Sequence, residues 1–197
     1  MVQAPLSQEE ILKIFKEKEV LLEGHFKLTS GRHAAYYMQC ARLLQYPEVA
    51  GPLLEQLASY FKDQNVTVVA GPATGAIIIS YEVARALGVK SVFSERENGL
   101  MCFRRGFEIR PDDRVLVVED VITTGGSTKE VIAAVRALGA TVVGAGCIVD
   151  RSGGTVDLGV ELKPLVSLQI ESYPPEDCPL CKAGMAPAIK PGSRQGI

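Results

Sequence analysis

Residues 115–128 combine, in one short run, the residue types needed to hold a phosphorylated sugar. Four apolar residues predict a buried strand, and two adjacent carboxylates, Glu119 and Asp120, follow it directly. Gly125 and Gly126 then let the backbone approach a ligand closely, and the free N–H groups at the start of the next helix point towards an anion. The run therefore predicts a cup for a phosphate group.

The two carboxylates indicate what lies beside that phosphate. Because like charges repel, Glu119 and Asp120 fit a neighbouring group with hydroxyls or a divalent metal, such as ribose or magnesium. Hydroxyl side chains add further donors to the turn: Thr123, Thr124, Ser127 and Thr128. The alternative is an ordinary strand, turn and helix capped by Ser127 or Thr128, which leaves the paired acids unexplained. The turn is neither a Walker loop nor a dinucleotide-binding turn, because no Lys precedes Ser127 and the glycine spacing differs.

Short apolar runs, glycine turns and helical patterns alternate along the chain and predict the scaffold that positions this cup. Strands are expected at 66–70, 91–94, 114–118, 141–149 and 165–170, with helices over 75–88 and 127–138. This alternation predicts an α/β fold with a central, mostly parallel sheet flanked by helices on both faces, and ligands beyond the carboxyl ends of its strands. We divide the chain into an N-terminal hood or flap (1–45), an α/β core (46–170) and an irregular C-terminal tail (171–197).

Two segments outside that alternation have their own signals. Ser7 and Glu10 form a capping box for a short helix, Pro47 is suited to begin a second one, and residues 24–40 predict a β-hairpin or an irregular flap. The polar, arginine-rich segment 95–113 is expected to be a long loop, of the kind that is usually functional or mobile.

Bulk composition excludes several classes of protein. The chain has 197 residues, with 21 Lys and Arg against 23 Asp and Glu, and 47% of its residues are hydrophobic. These values exclude a disordered chain, a collagen and a strongly basic nucleic-acid binder. No apolar stretch is long enough to cross a bilayer, and the first residues lack the order of a secretory signal, so we expect a cytoplasmic protein with no nucleic-acid or membrane partner.

Five cysteines, an odd number in a chain too long to need disulfides, agree with a reducing compartment. Cys178 and Cys181 are the one closely spaced pair. A zinc site wants four ligands, and the two histidines, His25 and His33, lie far upstream in the sequence. A structural turn, or a pair open to oxidation, is therefore favoured over a zinc or redox role.

Several motifs together resemble one enzyme family. The run over 115–128 resembles the phosphoribosyl-pyrophosphate motif of type I phosphoribosyltransferases. Residues 25–37 are similar to the F-x-L-x-S-G-x-x-S-x-x-Y flap of the orotate phosphoribosyltransferases, residues 71–75 to their pyrophosphate loop, and 149–151 to their strand-end Asp-Arg pair. The resemblance implies a type I phosphoribosyltransferase fold with a small N-terminal hood.

The resemblance also implies an activity. Family members transfer ribose 5-phosphate from phosphoribosyl pyrophosphate to N1 of orotate, giving orotidine 5′-monophosphate and pyrophosphate, in de novo pyrimidine synthesis. They use magnesium, which is held mainly through pyrophosphate and ribose. In this chain Asp120 is a possible protein ligand of that ion. Family members also work as homodimers that share a loop across subunits. The donor site carried over to this chain comprises Ala73, Thr74, Glu119, Asp120, Val121, Ile122, Thr123, Thr124, Gly125, Gly126 and Ser127.

The implied orotate site consists of Thr123, Arg151, Tyr37 and Met38, with Arg151 on the orotate carboxylate and the other two where the flap covers the pyrimidine ring. The chemistry agrees, because arginine is suited to bidentate recognition of a carboxylate. The alternative for Arg151 is a surface ion pair.

The segment 96–106 departs from the family pattern. Members usually have R-K-x-x-K-x-H-G there, with a Lys and a His that approach the departing pyrophosphate, whereas this chain has neither residue type in that segment. The candidate catalytic residues are Arg96, which aligns with the family's arginine, and Arg104 and Arg105, which supply the missing charge. Alternatively, these arginines pair with nearby glutamates on a solvated loop. Thr29 stands where many members have a Lys that faces the donor.

Two other functions fit parts of the pattern. A purine phosphoribosyltransferase has a similar phosphate turn, but purine bases offer no carboxylate for Arg151. A non-catalytic regulator that senses phosphoribosyl pyrophosphate would usually add a DNA-binding segment, which the short N-terminal region does not resemble.

Overall fold

The computed structural model describes residues 4–28 and 30–191. A six-stranded sheet forms its centre, in the order β5-β4-β3-β6-β7-β8. Its strands are β3 (Val68–Pro72), β4 (Lys90–Glu97), β5 (Leu100–Phe103), β6 (Arg114–Ile122), β7 (Thr141–Asp150) and β8 (Leu162–Ser167). All neighbours pair in parallel except β4 and β5, which are antiparallel. The predicted α/β fold with a mostly parallel sheet is confirmed.

The helices follow the sequence signals closely. They are α1 (Gln8–Glu17), α2 (Ala41–Leu44), α3 (Pro47–Ser59), α4 (Ala76–Leu87), α5 (Gly126–Ala137) and α6 (Pro179–Lys182), with 3₁₀ turns at Lys62–Gln64 and Pro175–Asp177. The capping box of Ser7 and Glu10 is present at α1, and Pro47 is the first residue of α3. Among the described helices, none is long and apolar enough to cross a membrane.

Alternation along the buried strands builds a core on each face of the sheet. In β6, Leu116 and Val118 face one cluster, and Val115 and Val117 face the other, because successive side chains of a strand point to opposite faces. The first cluster contains buried residues of α1, α3 and α4, and the second contains those of α5. Helices therefore cover both faces, and the carboxyl ends of β3 and β6 remain open.

The expected long loop over 95–113 is wrong in its first half. β4 continues to Glu97 and returns as β5, with Glu97 opposite Leu100 across the turn at Asn98 and Gly99. Both turn residues have positive φ, 52° and 82°, as a two-residue hairpin turn requires. The charged residues at the end of β4, which suggested a loop, are partly or fully exposed although they belong to the ladder.

β6 is also longer than predicted. Its pairing with β7 continues through Glu119, opposite Cys147, to Ile122, opposite Asp150. The two carboxylates therefore lie within the strand, near its carboxyl end, and not after it. The ladder persists because β7 is equally extended beside it.

The hood is an antiparallel hairpin of β1 (Leu21–Lys27) and β2 (His33–Met38), as the flap prediction allowed. The C-terminal tail differs from the irregular segment predicted over 171–197. It contains a 3₁₀ turn and α6, and it returns to the hairpin through bridges between His33 and Tyr173 and between Phe26 and Ile189. Residues 192–197 of the predicted tail, and Thr29, lie outside the described residues.

Candidate active site

A cavity of 510 Å³ opens at the carboxyl ends of β3 and β6 and beside the start of α5. The turn after β3, the end of β6 and the β4–β5 hairpin each contribute to its lining: Pro72, Ala73, Gly75, Glu95, Arg96, Met101, Glu119, Asp120, Val121 and Ser127. A smaller cavity of 260 Å³ adjoins it and shares Arg96, Glu119, Val121 and Ser127. The turn over residues 123–128, together with Ile122 and Glu130, forms the rest of the smaller cavity.

The turn before α5 has the form of an anion cup. Gly125, at φ 73°, is the residue before the helix, and no side chain caps the helix from that position. The alternative in which Ser127 or Thr128 is merely the cap is therefore wrong. Uncapped N–H groups at a helix start and exposed hydroxyls of Thr123, Thr124 and Ser127 face the smaller cavity. This arrangement suits a phosphate group.

One member of the predicted run has a different place. The side chain of Ile122 is 1% exposed and packs in the core behind the turn. Ile122 therefore offers a ligand its backbone alone. Ala73 and Thr74, joined by a cis peptide bond, are exposed in the turn after β3, and Ala73 lines the larger cavity.

The two carboxylates stand side by side at the floor of the larger cavity. Glu119 is 8% exposed, and its Oε1 accepts a hydrogen bond of 3.1 Å from the N–H of Asp120. Burial, together with the charge of Asp120, raises the pKa of Glu119 to about 8. Within the described residues no cation forms an ion pair with either carboxylate. The pair is thus suited to accept hydrogen bonds from hydroxyls or to face a cation.

Arg151 begins the loop after β7, next to the end of the phosphate turn. Its backbone N–H donates to the carbonyl of Ile122 at 2.8 Å. Its side-chain Nε is buried and has no hydrogen-bond partner in the described part of the chain. Burial lowers the pKa of Arg151, although Tyr37 and Cys40 nearby act in the opposite direction. The alternative of a surface ion pair does not hold within these residues, where Arg151 pairs with no carboxylate.

Tyr37, on β2 of the hairpin, lies near Arg151, and neither residue lines the two cavities. The ring of Tyr37 is half-buried, with its centroid 5.8 Å from that of Phe26. Met38 differs from the predicted role, because its side chain is 6% exposed and belongs to the core cluster. The alternation of β2 turns the two side chains to opposite faces, so the ring of Tyr37 is available to a ligand and the side chain of Met38 is a packing group.

The loop arginines are paired with carboxylates. Arg105 donates to both carboxylate oxygens of Glu95 at 2.7 and 2.8 Å, and Arg104 lies 3.2 Å from Glu97. Neither lines the two cavities, whereas Arg96 lines both and pairs with Glu130 at 2.6 Å. The alternative of a solvated, paired segment therefore describes Arg104 and Arg105 in this state.

Four residues that line the larger cavity were absent from the predicted site: Pro72, Gly75, Glu95 and Met101. Gly75 matters because of a close approach, since a Cβ added there would stand 2.8 Å from Asp120 Oδ2. Glu95 and Met101 reach the cavity through the β4–β5 hairpin. The Asn98-Gly99 pair was the sequence signal for that hairpin.

Comparison with known proteins gives a consistent result. Residues 42–163 match the family described as phosphoribosyl transferase domain. The chain is 57% identical to an orotate phosphoribosyltransferase of Pelotomaculum thermopropionicum, over 96% of this chain and 100% of that protein, and 54% identical to one of Desulforamulus reducens, over 96% and 99%. The crystal structure of orotate phosphoribosyltransferase from Aeropyrum pernix, 30% identical, superposes with a TM-score of 0.69 over 81% of this chain and 94% of that one.

Proposed function

This chain belongs to the orotate phosphoribosyltransferase family of the phosphoribosyl transferases, and we propose that it transfers ribose 5-phosphate from phosphoribosyl pyrophosphate to N1 of orotate. In this proposal the donor binds in the two adjoining cavities. The type I phosphoribosyltransferase fold and the transferase class follow from the same relatives. The observation that carries the assignment of the site is the buried Nε of Arg151, which has no partner among the described residues beside the phosphate turn. A base that carries a carboxylate would give the guanidinium of Arg151 the partner that the described residues do not supply.

The donor lies across both cavities in this proposal. The 5-phosphate occupies the cup of Thr123, Thr124, Gly125, Gly126 and Ser127, where uncapped amides and hydroxyls donate to its oxygens. Glu119 and Asp120 accept hydrogen bonds from the ribose hydroxyls. The pyrophosphate extends towards Ala73 and Thr74, in the turn after β3.

The acceptor lies between Arg151 and the hairpin. The guanidinium of Arg151 pairs with the orotate carboxylate, the hydroxyl of Thr123 lies against the base, and the ring of Tyr37 covers the pyrimidine face. N1 of orotate then forms a bond to C1 of the ribose as the bond from C1 to the pyrophosphate oxygen breaks, and the pyrophosphate leaves with the electron pair. Because orotate itself supplies the nucleophile, the protein supplies positioning and charge stabilisation.

Magnesium fits this arrangement of acids. Burial and the neighbouring charge of Asp120 disfavour the ionised form of Glu119, and a divalent cation beside the two side chains would offset that repulsion. We assign Asp120 as the protein oxygen nearest to such an ion, with the pyrophosphate and ribose oxygens as its other ligands. When bound, magnesium neutralises charge on the leaving pyrophosphate. At this cavity the described residues form no group of three or more side chains that could hold a metal ion, which supports a magnesium ion held mainly by substrate oxygens.

The β4–β5 hairpin is our candidate for the shared loop of a homodimer. The ion pairs of Arg104 and Arg105 are half-exposed, and exposed pairs contribute only about 0 to 1 kcal/mol, so a pyrophosphate can displace the carboxylates. Apolar side chains at Ile78, Tyr81 and Leu100 are 49%, 63% and 74% exposed, which supports a partner surface.

The five free cysteines support a reducing compartment, as expected for the cytoplasm.

One assay separates this function from the two alternatives, which the relatives do not support. The protein is mixed with magnesium and phosphoribosyl pyrophosphate, and with orotate, adenine, hypoxanthine or xanthine in turn. Loss of orotate absorbance with pyrophosphate release is the expected result. Turnover with a purine alone would identify a purine phosphoribosyltransferase, and binding of the donor without turnover of any base would identify a regulator.

A further inference from the structure

Four side chains from opposite ends of the chain meet beside the β1–β2 hairpin. His25 lies on β1, His33 lies on β2, and Cys178 and Cys181 stand at the start and within α6. The ligand atoms of all four lie within 4.8 Å of one another. Among residues 4–28 and 30–191, this is the one such group of three or more. His25 and Cys178 are buried, and Cys181 is exposed.

The distances fit a tetrahedral metal. Zinc lies about 2.3 Å from sulfur and about 2.0 Å from nitrogen ligands. In a tetrahedral site these bond lengths place sulfur and nitrogen ligand atoms roughly 3.6 Å apart, and two nitrogen atoms roughly 3.3 Å apart. His25 Nε2 lies 3.6 Å from Cys178 Sγ and 3.5 Å from Cys181 Sγ. His33 Nδ1 lies 3.3 Å from Cys181 Sγ and 3.0 Å from His25 Nε2. These four distances between ligand atoms are close to the values that one bound ion would impose.

The imidazole of His25 is oriented for this role. Its Nδ1 lies 2.8 Å from the carbonyl oxygen of Ala186, so a proton on Nδ1 donates to that oxygen. Nε2 then presents its lone pair to the two sulfurs. A backbone carbonyl that fixes the tautomer and ring of a ligating histidine is a recurrent outer partner at metal sites.

The backbone brings the two halves of the cluster together independently of any ion. His33 and Tyr173 exchange hydrogen bonds of 2.8 Å on one side, and Ile189 pairs with the hairpin on the other side. Cys178 and Cys181 lie between these two bridges. His25 and Cys178 are 153 residues apart in the sequence, yet their side chains are in contact. The two histidines are thus neighbours of the cysteine pair in space. The packing removes the objection to a zinc site that rested on the distance between the histidines and the cysteine pair in the sequence.

We propose that His25, His33, Cys178 and Cys181 form a structural zinc site that fastens the C-terminal tail to the hood hairpin. The site is closed, with four protein ligands and no open position, which is the arrangement of structural zinc. Binding of Zn²⁺ releases the two thiol protons to solvent and leaves a neutral centre of two thiolates and two neutral imidazoles. The fastened hairpin is the one that carries Tyr37.

Metal content tests the proposal directly. The full chain is purified under reducing conditions without added metal, and zinc is measured by mass spectrometry after dialysis against a mild chelator. We expect about one zinc per chain. Cys181→Ser should lower that content at least about tenfold, since it removes one ligand. Cys102→Ser, a free cysteine on β5, should retain the full content.

The exposure of Cys181 keeps the variant interpretable, because its substitution opens no cavity in the core. Cobalt added to the metal-stripped wild type should give the thiolate charge-transfer and tetrahedral d–d bands, and Cys181→Ser should lack them. A strong chelator should lower the Tm of the wild type and leave that of the variant unchanged. The proposal would be overturned if the reduced wild type held no zinc and took up none, or if Cys181→Ser kept a full equivalent of zinc. A disulfide between Cys178 and Cys181 instead of a bound ion would also overturn it.

Discussion

The carboxylate of Asp120 lies against the bare backbone of Gly75. A Cβ added to Gly75 would stand 2.8 Å from Asp120 Oδ2 and 3.1 Å from its Cγ. This contact joins the turn after β3 to the end of β6, and both residues line the same cavity. The position of this cavity-lining carboxylate therefore depends on the absence of a side chain on the neighbouring turn.

Gly75→Ala should damage donor binding without unfolding the protein. The backbone of Gly75 is helical, with φ −58° and ψ −41°, so alanine meets no conformational penalty there. The new methyl must displace Asp120, and a shift of about 1 Å at a reacting group can cost about 100-fold in rate. We expect a rise of about 10- to 100-fold in the KM for phosphoribosyl pyrophosphate, at an unchanged Tm.

A matched glycine in α3 provides the control. Gly51 has open space around its added Cβ, so Gly51→Ala should leave the kinetics unaltered and raise stability by up to about 1 kcal/mol. Normal donor kinetics in Gly75→Ala would show that the position of Asp120 does not matter to the site.

Gly125→Ala should cost both stability and activity. Its φ of 73° is unfavourable for alanine, and a Cβ would stand 2.7 Å from Leu158 and 2.8 Å from Val156. Strain and overpacking together should lower the free energy of unfolding by about 1 to 3 kcal/mol, measured by urea titration. Gly126→Ala, whose nearest neighbour is Thr124 at 3.8 Å, should keep the wild-type stability. Equal stability of the two variants would contradict the geometry assigned to the turn.

Sequence patterns were sufficient for the parallel core and not for its edges. Buried strands such as β6 are continuous apolar runs, and their turns carry glycines, so composition alone predicts them. The last residues of β4 are charged and the edge strand β5 is only four residues long, so both were assigned to a loop. The ends of β6 depend on the length of β7 beside it, which a local pattern does not contain.

The same reason explains which site residues could be predicted. The phosphate turn is one continuous segment, so its residue types indicate its chemistry. The contact of Gly75 with Asp120 and the meeting of His25 with Cys178 join distant segments, and they exist only once the chain is folded. The burial of the Met38 side chain beside the more exposed Tyr37 follows from strand alternation, which residue types alone do not show.

The stability of the ligand-free protein should depend on pH through Glu119. Burial and the charge of Asp120 raise the pKa of Glu119 from 4.5 to about 8. Between these values the folded chain holds more protons than the unfolded chain, so the free energy of unfolding falls as pH rises, by at most about 1.4 kcal/mol per pH unit. Urea titrations across this interval should show the fall, and Glu119→Gln should reduce its slope.

An exposed glutamate gives the comparison for that experiment. Glu108 lies on the surface beside Arg110, and Glu108→Gln should keep the slope of the wild type. A slope in Glu119→Gln identical to that of the wild type would mean that Glu119 is ionised in the free protein.

Mixed dimers test whether the β4–β5 hairpin serves the partner's site. The double variant Arg104→Ala with Arg105→Ala and the single variant Asp120→Asn should each be nearly inactive. If the loop is shared, a mixed dimer contains one intact site, and random mixing should restore roughly a quarter of the wild-type activity. Light scattering verifies the dimer first. No recovery on mixing would show that the hairpin acts within its own subunit.

The most direct test of the account is the effect of Arg151→Ala on the two substrates measured separately. Loss of a charged hydrogen bond of about 1.5 to 3 kcal/mol predicts a rise of about 10- to 150-fold in the KM for orotate, with the KM for phosphoribosyl pyrophosphate changed less than about twofold. Arg136→Ala, on the last turn of α5, should alter neither value. An unchanged KM for orotate, or an equal rise in both KM values, would contradict the assignment of Arg151 to the orotate carboxylate.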